Sequence, residues 1–150
     1  MTENMIYKYD PLKTRTRTMG ATFLSGAPCL DPNDARPAVA LTNSGDATKT
    51  VTTSDIPMGG GVTTLTYPNG GVGLVGKETQ LVYDGTWEMD VVSSGITPAP
   101  TGTANGVQVY IIVATNALTL SAGGNTAYGR VDYPVDYNKV AGKLPVRIGD

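Results

Sequence analysis

The chain has 150 residues, a formal net charge of −2 and a sequence pI near 5.0, so we expect one domain with no general attraction to nucleic acid or anionic membrane. Its 19 glycines, 10 prolines and 21 threonines favour turns and strands, and with charged residues at only 16% they exclude long helices and coiled coils. Histidine is absent and cysteine occurs once, which removes the commonest general base, His-activated nucleophiles, intrachain disulfides and thiolate zinc sites.

Residues 1–20 do not read as a packed element. Lys8, Lys13, Arg15 and Arg17 are four of the eleven basic residues, and Tyr7 and Tyr9 flank Lys8. Thr14 to Thr18 alternates threonine with arginine. The segment is expected to be either a loose tail or an extended arm that pairs with something else. Met5, Ile6, Tyr7 and Tyr9 argue for contact, because solvated tails seldom carry such anchors. No apolar run reaches the roughly 18 residues of a membrane span, and no signal-peptide pattern opens the chain. A single cysteine fits synthesis in a reducing cytoplasm.

Residues 21–150 read as a single all-β domain. Short strands are expected from Ala21, across Pro37–Thr42, and over Thr48–Thr53 and Val62–Tyr67. Residues 47–75 are rich in glycine and threonine. Trp87, Met89 and Val91 alternate with Thr86, Glu88 and Asp90, the period-2 pattern of a half-buried strand. Val107 to Ala114 is a continuous apolar run, read as a central strand with Val109 and Ile111 in the core. Leu118 and Leu120, then Tyr128 to Val135, then Leu144, Val146 and Ile148 supply the remaining strands. About eight short antiparallel strands imply a small barrel or sandwich whose core includes Trp87, Met89, Val91, Val109, Ile111 and Val146.

Motifs with chemical meaning are few. Gly71 to Gly76 matches G-x-G-x-x-G but runs into residues of strand composition, without the helix a dinucleotide site requires. Asp31 with Asp34, or Glu88 with Asp90, could serve as a carboxylate pair. The first pair sits in a turn and the second shares the polar face of a strand. Cys29 reads as a small buried hydrophobe. The expectation is a non-enzymatic protein with no cofactor, no metal site and no nucleic-acid or membrane partner.

The order of the segments carries more information. Ser25–Leu30, Ala38–Asn43, Asp84–Val91, Ala104–Tyr110, Leu118–Leu120, Gly124–Val131 and Leu144–Ile148 together resemble the head decoration, or capsid cement, proteins of tailed bacteriophages. The resemblance covers most of Ser25 to Ile148 and departs from the family at Arg130 and over Ala47–Val75, where the longer segment reads against the family as a Gly-rich insertion. It implies a small β-barrel-like structural protein of the virion that binds the major capsid protein on the outer surface of an assembled icosahedral head. It also implies a homotrimer. Met5, Ile6, Tyr7, Tyr9, Lys13, Arg15 and Arg17 are then the candidate capsid-binding arm. The alternative is a carbohydrate- or receptor-binding β domain of a virion fibre or tail.

Overall fold

A computed structural model describes residues 5–7, 14–44, 50–52, 64–66 and 77–149, with backbone only for the three short stretches 5–7, 50–52 and 64–66. Thirteen strands and no helix occur among them: β1 (Met5–Tyr7), β2 (Thr14–Thr18), β3 (Pro28–Leu30), β4 (Pro37–Ala40), β5 (Thr50–Thr52), β6 (Thr64–Thr66), β7 (Glu78–Val82), β8 (Gly85–Ser94), β9 (Thr97–Pro98), β10 (Gln108–Ile112), β11 (Ala117–Thr119), β12 (Thr126–Val131) and β13 (Lys143–Ile148). The protein is all-β.

Five of these strands close into a barrel in the order β8-β11-β10-β12-β13, with β13 returning to β8. The sequence suggested antiparallel neighbours throughout. A closed ring of five strands cannot alternate direction all the way round, so one neighbouring pair must run the same way. That pair is β11 and β8, in register Leu118↔Val91 and Thr119↔Val92. The ten-residue β8 is the longest stave. Thr86 and Trp87 pair with β13 on one edge and with β1 on the other, and Val92 pairs with both β11 and β9.

Alternation fills the barrel. Trp87, Met89 and Val91 from β8 are buried with Val109 and Ile111 of β10, Leu118 of β11, and Leu144, Val146 and Ile148 of β13. The outer positions of β8 stay wetter: Asp90 is exposed and Glu88 half-buried. The apolar run from Val107 is shorter than its composition suggests, because the strand stops at Ile112. Val113 is 62% exposed in the turn that follows, where Asn116 takes a φ of 56°. Gly129 explains how β12 can lie so close to β13. A Cβ there would collide with the Arg147 carbonyl oxygen and stand 2.8 Å from Val146 Cγ1, so no side chain fits. The register between β10 and β12 shifts beside it, between Val109 and Tyr110.

The second sheet, β2-β7-β4-β3, is antiparallel and lies against the barrel. Val39 and Val82 belong to the barrel core, while Ala38, Leu81, Tyr83, Cys29 and Met19 form a second cluster. The faces therefore alternate as a pleated strand requires. A buried hydrogen bond joins the two layers: the Tyr128 hydroxyl of β12 donates to the Ala38 carbonyl of β4 at 2.6 Å. Within the stretch read as an insertion, β5 and β6 pair with each other, Thr50↔Thr66 to Thr52↔Thr64, and with no other described strand.

The described parts of the N-terminal segment, read from sequence as a loose tail or an extended arm that pairs with something else, pair within this chain. β1 is hydrogen-bonded to β8, and β2 pairs with β7 along five residues, from Thr14↔Val82 to Thr18↔Glu78. Extended, unpaired backbone finds the open edges of this chain's own sheets. Residues 5–7 and 14–18 are staves of the body.

Candidate functional site

Arg17 is the member of the proposed arm with the clearest structural task. From β2 its Nε donates to both carboxylate oxygens of Asp31, at 2.9 and 3.2 Å. Asp31 is only 1% exposed and opens the six-residue loop between β3 and β4. It also accepts the Tyr83 hydroxyl at 2.5 Å and the Asn33 N–H at 2.9 Å. Burial pushes its pKa up, but the hydrogen bonds from Tyr83, Asn33 and Arg17 outweigh this and hold it below the ordinary aspartate value. Tyr83 is shifted the other way, to about 12, by burial and by the Asp31 carboxylate. The loop is further fixed by the Ala35 N–H donating to the Asp31 carbonyl at 2.9 Å, with Ala35 at a φ of 56°.

Because the folded carboxyl is more acidic than the unfolded one, Asp31 stabilises the fold fully above the ordinary carboxylate range. That contribution is lost as pH falls through its lowered value. The expected result is a wild-type urea midpoint that exceeds that of Asp31→Asn by most at pH 7, with the gap narrowing below about pH 4. A gap constant from pH 7 to pH 2.5 would show that the carboxyl charge contributes nothing.

The other arm residues are spread. Arg15 is exposed on β2, with its guanidinium carbon 5.9 Å from the Tyr83 ring centre. Met5, Ile6 and Tyr7 form β1, paired through Met5↔Trp87 and Tyr7↔Thr86. Tyr9 and Lys13 lie outside the described residues, as does Gly71–Gly76. Arg17 is engaged with Asp31 through its Nε.

The residues considered for chemistry have partners within the fold or on its surface. Cys29 is fully buried and its thiol is pushed up to about 12 by desolvation and then by Asp31, so it carries almost no thiolate at neutral pH. Glu88 Oε2 accepts the Tyr137 hydroxyl at 2.6 Å, and Asp90 pairs with Lys143 at 2.7 Å on the surface. Among the described residues no three His, Cys, Asp or Glu side chains are grouped to hold a metal, and no helix is long and apolar enough to cross a membrane.

Two concave surfaces stand out among the described residues. A groove of about 800 Å³ runs between the loop at Leu24–Pro28 and the barrel residues Asp90, Asn116 and Ala117, with Leu24 72% exposed at its rim. A smaller cleft of about 340 Å³ lies where β12 and β13 meet the β3–β4 loop, and Arg36, Arg130 and Arg147 line it. Sequence reading noted Arg130 only as a departure and overlooked the cluster. The three arginines are far apart in the chain, and only the register Arg130↔Arg147 brings two of them together. Comparison with family models, with curated proteins and with solved structures finds no match for this chain.

Proposed function

We propose that this is a non-enzymatic capsid decoration protein of a tailed bacteriophage, one that binds the outer surface of an assembled icosahedral head and stiffens it. One observation carries the reading: five of the seven segments whose order resembles that family overlap the five strands of the barrel. Asp84–Val91 contributes β8, Ala104–Tyr110 leads into β10, Leu118–Leu120 covers the end of β11, Gly124–Val131 contains β12 and Leu144–Ile148 lies in β13. These are the five staves of the barrel, so the resemblance follows a structural frame and not scattered turns. The engagement of Cys29, Asp31, Glu88 and Asp90 in structural contacts supports a role without chemistry.

In this reading the chain acts as a homotrimer, and many weak, symmetry-related contacts with the major capsid protein add up to stable attachment. Since β1 and β2 are paired within the body, attachment uses the outer faces of the body and the exposed Arg15 in place of a free arm. The test is co-sedimentation with shells assembled from the cognate major capsid protein. Binding to expanded shells but not to unassembled subunits is expected. Absence of shell binding, together with specific hits on a glycan array, would favour the fibre-domain reading.

A further inference from the structure

The four-stranded sheet has two edges, and they are built differently. At one edge β3 is only three residues long and opens on Pro28, which has no N–H to offer. At the other edge β2 runs through five consecutive pairs with β7, without a proline or a register shift. Thr14, Arg15, Thr16 and Thr18 are exposed there, and no other described strand pairs with β2.

The phase of the ladder fixes which backbone groups that edge presents. One residue past β2, the Met19 N–H donates to the Lys77 carbonyl at 3.1 Å. Alternation then turns the N–H and C=O of Arg15 and Arg17 toward β7, and those of Thr14, Thr16 and Thr18 outward. The far side of β7 agrees: Gln80, opposite Thr16, turns its carbonyl to the Leu41 N–H at 2.7 Å. A row of donors and acceptors therefore stands along the edge.

Charged side chains commonly guard such an edge. Here both arginines are drawn back over the face of their own sheet. Arg17 holds Asp31 through Nε and reaches the Thr16 carbonyl only at 3.5 Å. Arg15 extends toward the Tyr83 ring, and among the described residues it has no carboxylate partner. A second copy of β2 is a poor match, since antiparallel pairing about Thr16 sets Arg15 opposite Arg17.

We propose that the outer edge of β2 is a docking site for an extended acidic segment of another protein, which joins the sheet as a fifth strand. Its main chain meets the outward groups of Thr14, Thr16 and Thr18, and a glutamate or aspartate opposite Arg15 supplies the missing countercharge. An apolar strand gains little, because β2 carries only threonine and arginine. This contact goes beyond the decoration reading and does not depend on it.

The test uses the full chain and two synthetic peptides blocked at both ends, Thr-Glu-Thr-Glu-Thr and Thr-Lys-Thr-Lys-Thr. With the glutamate peptide, nuclear magnetic resonance is expected to show saturable amide shifts and slowed amide exchange at Thr14, Thr16 and Thr18. The lysine peptide should bind about fivefold more weakly, as repulsion replaces attraction across the new pair. Thr16→Pro removes one outward N–H and no bond to β7, so it should weaken the glutamate peptide roughly tenfold while the melting temperature stays close to that of the wild type. Arg15→Gln leaves the backbone edge intact and should narrow the gap between the two peptides. Equal binding of both peptides to the wild type, or undiminished affinity in Thr16→Pro, would overturn the proposal. Concentration-dependent dimerisation of the wild type with shifts at the same threonines would also overturn it, giving the edge to a second copy.

Discussion

Removal of residues 1–18 is expected to lower the denaturation midpoint clearly, because it leaves the buried Asp31 carboxylate without its arginine partner. The truncation strips β1 from β8, exposes the edge of β7, and leaves Asp31 without Arg17. Arg17→Gln isolates the last effect, and it should reproduce much of the loss while both strands remain. Chemical denaturation of the truncated chain, the point variant and the wild type gives the comparison. A truncated protein as stable as the wild type would mean that β1 and β2 lie on the body without supporting it.

Trp87→Ala is expected to cost about 3–5 kcal/mol, as other large aromatic truncations in cores do. Trp87 is 1% exposed at the point where β1, β8 and β13 meet, and its indole N–H donates to the Asp84 carbonyl at 3.1 Å. Alanine there removes the ring from the barrel core and leaves that carbonyl without the indole donor. Trp87→Phe keeps most of the volume and should lose markedly less. Equal midpoints for wild type and Trp87→Ala would place the indole outside the cooperative core.

The sequence revealed the barrel staves more readily than their arrangement. Trp87, Met89 and Val91 announced β8 because one face of that strand is buried and the other is not, which writes a period of two into the residues. Leu144, Val146 and Ile148 announced β13 for the same reason. Gly85 takes a φ of 110° at the start of β8, a conformation that favours glycine. Closure was not legible, because the parallel contact of β11 with β8 depends on the number of strands in the ring and leaves no local mark. The N-terminal strands were hidden by composition: Thr14–Thr18 has no apolar face, since it is an edge strand held by backbone hydrogen bonds and by one buried carboxylate far along the chain. Asp31 looked like an ordinary turn aspartate, and nothing nearby signalled that Arg17 and Tyr83 would converge on it. The arginine cleft escaped for a related reason, as neither Arg130 nor Arg147 is unusual until the register sets them side by side.

The pairing of Thr86 and Trp87 with β1 on one edge and β13 on the other has a consequence for synthesis. Residues from opposite ends of the sequence meet on the same two positions of β8. The barrel cannot close until Leu144–Ile148 has left the ribosome, whatever the earlier strands have achieved. At synthesis rates of roughly 5–20 residues per second, β8 waits several seconds for its last neighbour. During that interval its edge is open to strands of other nascent chains. Such long-range closure predicts slow folding for a domain of this size and a need for protection on polysomes, where many unfinished copies lie close together.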